Sequence, residues 1–571
     1  MALNSSVSKD VTLTIDDYSP ALNTASFGNS VIARMPNPRP KLRVNLWGGS
    51  NLPGNGLTEP DHHVLVEFNG TVVADESFDG LHEYPIETTL SNLRHGQNVV
   101  SVELPKDHGY QFDLVNLDSV TIQYPRLFKA ENSGKNLSFA SAWGFFKVSE
   151  LKSEVVTVVR VDENRNGHLM LARAKGACSD GCVYFAGSMD GGDNAYYVAT
   201  NDGFMTPKIE LVDSAIDLFD GPAEYLIIAH PDFIASSGYS LETYANQLSN
   251  DYSSVDVVDV EAIYGQYSGH VMDANAIYSY IQDAYFERGT RHVLLVGGDN
   301  YDYHDNLNKG GQSYIPSLYV SIATNVNAVP SDAKYADIDD DFIPDITISR
   351  LPVRSDQELR NIFAKRQSYL TRSATRKAIF AADKVDNSGY SFKSDSDDAI
   401  NQHFSDWNVS TVYSDDLSVA EGKQQLLEGI NSGASLISYY GHSSTDRWTI
   451  SGLFTGEDAG GLTNYANPAV VTQWGCWNTF YVSPEQDSLA HRLLVDGEHG
   501  AVTVMGASSF TKAGAERKMA SLLFERLNQG MKIGDAVLSA KRALAQDNPY
   551  QLDVLLGWTV LGLDDFAING E

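Results

Sequence analysis

The chain has 571 residues, a length that predicts three to four domains of about 150 residues each. Hydrophobic residues make up 42% of the chain and aromatic residues 10%, so it can bury large cores and is not mainly disordered. The net charge of -33 repels phosphate backbones and anionic membrane surfaces, so we expect neither nucleic acid nor a membrane surface as a partner.

The sequence contains neither a membrane span nor a recognisable export signal. No apolar run approaches the ~18 residues that a span requires. Residues 1–10 lack the charged and apolar segments of a signal peptide. We therefore expect no membrane-spanning segment and no signal peptide in this chain.

The first 220 or so residues have the pattern of β structure. Short alternating or apolar runs recur between turn dipeptides such as Asn69-Gly70 and Asp79-Gly80. We expect an N-terminal β-sandwich domain within residues 1–150 and a further β region over residues 151–222. The runs that indicate strands are 42–47, 63–68, 99–104, 119–124 and 155–161.

From residue 224 onward, apolar strand runs alternate with helical patterns. Such alternation predicts parallel βαβ units, whose strands are buried on both faces. We expect two α/β halves, 223–375 and 376–571, joined near 373–376. The predicted strands are 225–229, 254–260, 292–296, 345–350, 377–382, 410–413, 434–440, 469–474 and 501–505. The predicted helices are 241–250, 274–288, 356–370, 395–404, 419–430, 486–494, 516–527 and 533–546.

The chain has three cysteines, and their spacing separates one from the other two. Cys178 and Cys182 lie in the turn-like stretch CSDGC, which favours a local disulfide. Cys476 then remains as a free thiol. An unpaired thiol of this kind is a candidate nucleophile.

Two predicted parallel strands end in residues that can carry thiol chemistry. The strand 434–440 leads through a glycine to His442, and the strand 469–474 leads through a glycine to Cys476. In open α/β sheets, ligands bind beyond the carboxyl ends of the strands. A thiol needs a nearby base or imidazole to be a good nucleophile at neutral pH. The pair therefore predicts a catalytic site in which Cys476 attacks and His442 transfers protons.

These residues lie in segments that resemble the gingipain family of cysteine peptidases, which share the caspase-like fold. SLISYYGHSSTDRW (435–448) is similar to the family's histidine motif, and PAVVTQWGCWN (468–478) is similar to its cysteine motif. SDAKYADIDDDFIPDITISRLPV (331–353) resembles the family's segment that ends in a turn before a helix. YLIIAHPDF and HVLLVGGDN look like its earlier strands. The resemblance covers roughly residues 220–571.

The resemblance implies an oxyanion hole made by the backbone N–H groups of Ser443 and Cys476. The family usually has glycine after the histidine, and Ser443 has fewer allowed backbone angles. A third group should orient His442. Asp299, which follows HVLLVGG, is one candidate, and Asp446 is another that is nearer in sequence.

For specificity, the resemblance points to cleavage after Arg or Lys. Members of the family with that preference place an acidic residue at the base of the S1 pocket, and here the matching acid is Asp332. Its alternative role is to cap the turn after Ser331. Aromatic residues that could wall the pocket, or pack in the core, are Trp474, Trp477 and Phe510.

An acidic stretch in the same region has the spacing of a calcium site. Side-chain oxygens recur at alternating positions and one backbone carbonyl can contribute, which suits an ion that takes 6–8 oxygen ligands. A solvated acidic loop is the alternative. The candidate ligands are Asp337, Asp339, Asp341, Ile343 and Asp345.

The sequence thus predicts a caspase-like α/β peptidase region preceded by an all-β region. We expect a secreted or cell-surface cysteine endopeptidase of bacterial type, with structural Ca²⁺ and no organic cofactor, acting on a protein or peptide substrate. Two alternatives stay open. One is a cell-surface transpeptidase that uses the same two residues, and the other is a non-catalytic surface adhesin or binding protein.

Overall fold

The computed structural model describes residues 7–16, 18, 26–27, 30–31, 39–51, 60–105, 107–109, 113–141, 144–153, 155–174, 181–188, 194–207, 217–234, 241–323, 326–373 and 376–568. The chain forms two compact units, residues 1–210 and 211–571. Within the described ranges, no helix is both long and apolar enough to cross a membrane.

The first unit is built from strands. They are β1 (Val7–Ile15), β2 (Ser26–Phe27), β3 (Ser30–Val31), β4 (Lys41–Gly48), β5 (His62–Phe68), β6 (Thr71–Phe78), β7 (Glu83–Thr89), β8 (Gly96–Leu104), β9 (Val115–Gln123), β10 (Asn136–Ser141), β11 (Phe145–Val148), β12 (Val156–Val161), β13 (Gly167–Met170), β14 (Arg173–Ala174), β15 (Val183–Ala186) and β16 (Asn194–Thr200). A single 3-10 turn, Asn201–Gly203, follows among the described residues.

The strands of the first unit form two successive groups of antiparallel sheets. The sheets β1-β8-β5-β6 and β7-β4-β9 share one core, which includes Val44, Val66 and Val100 and confirms the predicted β-sandwich. Their strands alternate buried and exposed residues because one face of each sheet meets the core. The sheets β10-β16-β12-β13 and β11-β15-β14 form the further β region. Cys182 is disulfide-bonded, and its expected partner Cys178 lies outside the described residues.

The second unit alternates strands with helices. Its strands are β17 (Tyr225–Ala229), β18 (Val255–Asp259), β19 (His292–Val296), β20 (Tyr319–Val320), β21 (Val329–Pro330), β22 (Thr347–Leu351), β23 (Lys377–Ala382), β24 (Asn408–Tyr413), β25 (Leu436–Tyr440), β26 (Ser443–Ser444), β27 (Arg447–Trp448), β28 (Phe454–Thr455), β29 (Ala469–Trp474), β30 (Ala501–Ala507) and β31 (Trp558–Gly562).

Its helices are α1 (Pro231–Ile234), α2 (Leu241–Leu248), α3 (Val260–Tyr267), α4 (Ala274–Glu287), α5 (Asp356–Thr371), α6 (Phe392–His403), α7 (Val419–Asn431), α8 (Gly456–Gly460), α9 (Leu489–Val495), α10 (Ala513–Asn528), α11 (Ile533–Asp547) and α12 (Leu552–Leu555), with a 3-10 turn at Ala333–Ala336. Several helices begin at a serine whose side chain accepts a backbone N–H of the first turn. Ser355 does so for α5, and Ser418 forms a capping box with Glu421 for α7.

Ten strands form one mostly parallel sheet with the order β18-β17-β19-β22-β31-β30-β29-β25-β23-β24. The strands β17, β25, β29 and β30 are buried throughout, as expected for a sheet covered on both faces. The last strand in sequence, β31, lies near the middle of the sheet and runs antiparallel to β30. The predicted halves 223–375 and 376–571 therefore supply the two sides of one sheet within a single compact unit.

Candidate active site

Three neighbouring strands end at the same edge of the sheet in residues that can take part in catalysis. Strand β25 lies between β23 and β29, and the pairing aligns Tyr440 with Trp474. His442 and Cys476 each follow two residues later. Asp383 follows the last residue of β23, which pairs with Tyr440. The sheet therefore presents a carboxyl, an imidazole and a thiol side by side.

Cys476 carries a free, half-buried thiol. The backbone N–H of Thr511 donates to Sγ at 3.4 Å. Burial raises the pKa of the thiol, the Thr511 hydrogen bond opposes this, and the nearby carboxyl groups of Glu516 and Asp553 raise the pKa further when they are ionised. The resting thiol is therefore protonated at neutral pH and needs a base when it reacts.

His442 is exposed, and its backbone holds it in place. Its carbonyl accepts hydrogen bonds from the Tyr439 hydroxyl at 2.5 Å and from the Thr449 N–H at 2.9 Å. The imidazole packs edge-on against Phe392, with ring centroids 5.1 Å apart. Among the described residues, no hydrogen bond joins the imidazole to Sγ of Cys476. A catalytic hydrogen bond that is long in the free enzyme can form when substrate binds.

Asp383 is the carboxylate beside His442, and sequence reasoning missed it. Burial raises its pKa, whereas the backbone N–H of Lys384, at 2.8 Å, and then the charge and the backbone N–H of His442 lower it, so the carboxylate contacts the histidine loop. The signal was available, because Asp383 follows the apolar strand KAIFAA just as His442 and Cys476 follow theirs. This contact with the histidine loop makes Asp383 a candidate for positioning His442.

The two acids expected to orient His442 have other partners. Asp299 accepts hydrogen bonds from the Ser317 N–H at 2.9 Å and the Ser313 hydroxyl at 2.7 Å. Four strands separate β19 from β25, which corresponds to about 24 Å at the usual strand spacing. The prediction for Asp299 is therefore wrong. Asp446 pairs with the guanidinium of Arg447 at 2.7 Å.

The residue after the histidine links the two catalytic loops. The Ser443 hydroxyl donates to the Cys476 carbonyl at 2.7 Å and accepts from the Asn478 side-chain amide at 3.1 Å. Ser443 is outside the left-handed region, so a non-glycine residue is tolerated there. Glycine is required one residue before the histidine, because Gly441 has φ +155° and a Cβ there would lie 2.4 Å from Cβ of Asp383.

Asp332 does not form the base of a substrate pocket. Its side chain is 1% exposed and binds Arg350 in a bidentate pair, with Nε to Oδ2 at 2.8 Å and Nη2 to Oδ1 at 2.7 Å. Both carboxylate oxygens are therefore occupied by a buried guanidinium. The prediction of Asp332 as the S1 acid is wrong, because its charge is already matched within the fold.

A different buried acid lies beside the nucleophile. Glu516, in the first turn of α10, is 4% exposed and hydrogen-bonds the Thr511 side chain and the Gly475 N–H. Its Oε1 atom has no hydrogen-bond partner. Burial, opposed by the Thr511 bond, raises the pKa of this carboxyl to about 8. Acidic residues are common in the first turn of a helix, so the sequence carries no signal that marks this one.

The three aromatic residues expected around the pocket divide into two groups. Trp477 and Phe510 contact each other with ring centroids 5.3 Å apart, and Phe510 is 55% exposed. Both therefore remain candidates for a substrate-facing wall. Trp474 is buried, stacks on Trp558 at 5.0 Å and donates to the Ser438 hydroxyl, so it packs in the core. Its prediction as a pocket residue is wrong.

The acidic stretch places three of its five candidate ligands together. Oxygens of Asp337, Asp339 and Asp345 all lie within 4.8 Å of one another, as a shared cation would require. Asp337 also binds the Lys334 ammonium at 2.7 Å. The Asp341 carboxylate instead accepts the backbone N–H of Ile343 at 2.9 Å. Asp341 is therefore not part of the three-carboxylate cluster.

A mostly parallel caspase-like sheet that presents a thiol and an imidazole at one edge is the framework of a cysteine peptidase. The family model described as Peptidase family C25 matches residues 219–562. Since this match covers more than half of the chain, the chain belongs to that family, the gingipain family of cysteine peptidases. The resemblance in the sequence is thereby confirmed.

One solved structure supports this fold. The chain is similar to the Arg-specific cysteine proteinase gingipain R, with a TM-score of 0.50 and 18% identity over 62% of this chain and 80% of that chain. A complex of the pro- and mature domains of RgpB from Porphyromonas gingivalis gives a TM-score of 0.49 and 18% identity over 60% of this chain and 79% of that chain. No curated protein matches the chain.

Proposed function

We propose that the chain is an endopeptidase with Cys476 as its nucleophile and His442 as the acid–base partner. The observation that supports this most strongly is the aligned ends of β25 and β29, since His442 and Cys476 each lie two residues beyond the paired residues Tyr440 and Trp474. The Ser443–Cys476 hydrogen bond of 2.7 Å ties the two loops together. Two side chains held close together just beyond the ends of rigid strands can act as a unit.

In the proposed reaction, Sγ of Cys476 bonds to the substrate carbonyl carbon while the His442 ring accepts the thiol proton. The tetrahedral intermediate then expels the amine, which takes that proton from His442, and a thioester remains. Water adds to the thioester while His442 accepts one of its protons. Collapse of this second intermediate breaks the C–S bond and returns the proton to sulfur. The backbone N–H groups of Ser443 and Cys476 hold the oxyanion in both steps.

Asp383 positions His442 in this proposal. Its carboxylate contacts the backbone N–H of the histidine and so holds the loop that carries the imidazole. It therefore takes the role first expected of Asp299.

We further propose that the enzyme cleaves after basic P1 residues, with Glu516 as the acid that binds them. Its carboxyl is buried next to the Cys476 loop and leaves Oε1 without a partner. An arriving cation would satisfy that oxygen and stabilise the ionised carboxylate. A neutral P1 side chain would leave the acid unpaired, which disfavours its binding.

The geometry of Glu516 also bears on the choice between arginine and lysine. A guanidinium gains its advantage from two parallel hydrogen bonds to one carboxylate. One oxygen of Glu516 already faces Thr511 and the Gly475 N–H, so a single oxygen is free. We therefore expect Arg and Lys at P1 to be accepted within about tenfold of each other, since the bidentate advantage is lost.

We propose that Asp337, Asp339 and Asp345 hold a structural Ca²⁺ ion. Three carboxylates whose oxygens converge supply the hard oxygen ligands that calcium prefers. The ion would stabilise the loop before β22. A chelator should lower the melting temperature of the wild type, since binding at 100 times Kd contributes about 2.7 kcal/mol. The exposed-ligand variant Asp339→Ala should lose this response, and an unchanged wild-type melting curve would contradict the proposal.

We propose a secreted or cell-surface location. The absence of a membrane-spanning helix among the described residues is compatible with this. The disulfide at Cys182 supports it further, since disulfides persist mainly in oxidising compartments.

A P1-scanning peptide library tests the function as a whole. The wild type should cleave peptides with Arg or Lys at P1, and Cys476→Ala should cleave none. Product masses measured with and without an added amine separate hydrolysis from transpeptidation, because only the latter attaches the amine to the acyl fragment. A wild-type profile dominated by acidic or large apolar P1 residues would refute the basic preference.

A further inference from the structure

Each backbone N–H of the proposed oxyanion hole shares a peptide unit with a carbonyl that points the opposite way. A peptide unit is planar and trans, so a group that holds its carbonyl also fixes the direction of its N–H. The Ser443 N–H shares its unit with the His442 carbonyl. The Cys476 N–H shares its unit with the Gly475 carbonyl. The hydrogen-bond partners of these two carbonyls therefore determine where the two N–H groups point.

The His442 carbonyl is held by a buried tyrosine. The Tyr439 hydroxyl donates to it at 2.5 Å, and the Thr449 N–H donates to it at 2.9 Å. Tyr439 is fully buried, and its ring stacks on Trp448 with centroids 4.7 Å apart. Packing of this kind fixes the ring, so the hydroxyl is presented to the carbonyl in one position.

The pairing of β26 with β27 leaves the Ser443 N–H free of the hairpin. Ser443 lies opposite Trp448 in this antiparallel pair. The hydrogen bond between the Thr449 N–H and the His442 carbonyl flanks that pair. Ser443 and Trp448 are therefore a non-hydrogen-bonded pair, and the Ser443 N–H points away from β27.

The Gly475 carbonyl is held by a buried asparagine. Nδ2 of Asn478 donates to it at 3.2 Å and donates its other proton to the Ser443 hydroxyl at 3.1 Å. A carbonyl oxygen only accepts, so the amide nitrogen of Asn478 is the atom that faces Gly475. The Asn478 side chain is fully buried, and a Cβ at Gly506 would lie 2.6 Å from its Oδ1. The asparagine therefore has little room to turn.

A strained residue returns this asparagine to the nucleophile. Trp477, between Cys476 and Asn478, has φ +66°, in the left-handed region that bulky residues rarely adopt. Such a conformation persists where its surroundings hold it. Here the Trp477 N–H donates to the Ser509 carbonyl at 3.0 Å, and the Trp477 carbonyl accepts the Phe480 N–H at 3.0 Å. The fold thus maintains a sharp turn directly after the nucleophile.

We propose that Tyr439 and Asn478 are positioning residues of the oxyanion hole. Each donates to the carbonyl of a peptide unit whose N–H holds the oxyanion. This inference rests on the proposed function, which takes the Ser443 and Cys476 N–H groups as the donors. An oxyanion hole contributes most when its donors are aimed before the reaction starts. Loss of either side-chain contact frees one N–H to turn away, while the thiol and the imidazole stay in place.

The test uses Tyr439→Phe and Asn478→Ala in the full chain. Tyr439→Phe removes only the hydroxyl, and the Thr449 N–H keeps the His442 carbonyl as its acceptor, so we expect the fold to be retained. With a peptide substrate that has Lys at P1, kcat should fall about tenfold to a hundredfold in each variant, because a donor is misplaced rather than removed. KM should change much less, since the contact matters mainly in the transition state.

Two reagents separate the oxyanion hole from the thiol. With a peptide aldehyde that has Lys at P1, Sγ of Cys476 bonds to the aldehyde carbon, His442 accepts the thiol proton, and the aldehyde oxygen becomes an oxyanion. The aldehyde should bind about tenfold to a hundredfold more weakly to each variant. Iodoacetamide loses iodide to the same sulfur and forms no oxyanion. Peptide mapping should therefore show that Cys476 is alkylated at the wild-type rate in both variants.

Tyr369→Phe and Asn464→Ala are the matched controls. The buried Tyr369 hydroxyl donates to the Ile568 carbonyl at 3.2 Å. The buried Asn464 donates Nδ2 to the carbonyls of Asn467 at 3.1 Å and Gly500 at 2.8 Å. Both contacts resemble those of the proposed positioning residues but lie away from the catalytic loops. The two controls should keep the wild-type kcat and aldehyde affinity.

The outcomes distinguish this inference from the proposed function. Wild-type kcat and aldehyde affinity in folded Tyr439→Phe or folded Asn478→Ala would overturn the inference. Alkylation of Cys476 that slows in parallel with kcat would also overturn it, because the substitutions would then act on the thiol. A wild-type chain that the aldehyde does not inhibit would instead refute the proposed function. Circular dichroism checks folding, and Tyr439→Phe decides the matter even where Asn478→Ala does not fold.

Discussion

The two sides of the ten-stranded sheet contain buried acids that differ in how completely they are hydrogen-bonded. On the side that carries β19 and β22, Asp299 and Asp332 have hydrogen-bond partners for both oxygens, and Asp332 is paired with Arg350. On the side that carries β25 and β29, Glu516 is equally buried but keeps one oxygen unpartnered beside the Cys476 loop. Burial of an acid therefore does not by itself indicate a functional site, whereas an unpartnered oxygen beside the proposed nucleophile supports the proposal of one.

The largest expected effect concerns the thiol and the imidazole. Cys476→Ala and His442→Ala should each lower kcat by several orders of magnitude, because the pair acts as a unit and the losses are not additive. Progress curves with a basic-P1 peptide measure this, and circular dichroism checks that each variant is folded. The double variant should be no slower than the slower single variant. Turnover above a trace of wild type in Cys476→Ala would remove it from the nucleophile role.

The next prediction concerns Asp332, the buried acid that is paired with Arg350. Asp332→Asn leaves the buried guanidinium of Arg350 without its counter-charge, so we expect a loss of about 3–5 kcal/mol in the free energy of unfolding. Denaturant titration measures this loss. Below the melting transition, the variant should keep the wild-type P1 profile. Loss of the basic preference in folded Asp332→Asn would return this residue to the substrate pocket.

The corresponding substitution of Glu516 should change substrate specificity, and at neutral pH it should not lower the free energy of unfolding. Glu516→Gln removes the acid but keeps the shape, so we expect kcat/KM for basic P1 residues to fall roughly tenfold to a hundredfold, the range for loss of a charge-assisted contact. Values for neutral P1 residues should stay level or rise. The control is Glu525→Gln, at an exposed acid later in α10. This substitution should change kcat/KM for neither basic nor neutral P1 residues.

A smaller effect appears in the pH dependence of stability. Burial raises the pKa of Glu516 from its ordinary 4.5 to about 8, so the folded state binds its proton more tightly than the unfolded state does. The group's contribution is most favourable below pH 4.5 and is lost as the pH rises through about 8. The melting temperature of Glu516→Gln relative to wild type should therefore increase between pH 5 and about 8 and then level off. A constant difference across that range would contradict an unpaired buried acid.

Part of the fold and of the candidate active site follows from local sequence patterns. Apolar strands that run directly into His442 and Cys476 predicted which residues share one edge of the sheet, because neighbouring parallel strands end together. The partner of a buried charge is not a local property. Arg350 reaches Asp332 across 18 positions, and Glu516 meets the Cys476 loop only through the packing of α10. The position of β31 inside the sheet likewise depends on where the chain returns after α11.

The most direct test of the account is covalent trapping of the nucleophile. A peptidyl acyloxymethyl ketone with Lys at P1 should add one inhibitor mass to the intact wild-type chain, and peptide mapping should place it on Cys476. The reagent with a neutral P1 residue should react far more slowly, and Cys476→Ala should not be labelled. A label on another residue, or equal labelling of wild type and Cys476→Ala, would contradict the account.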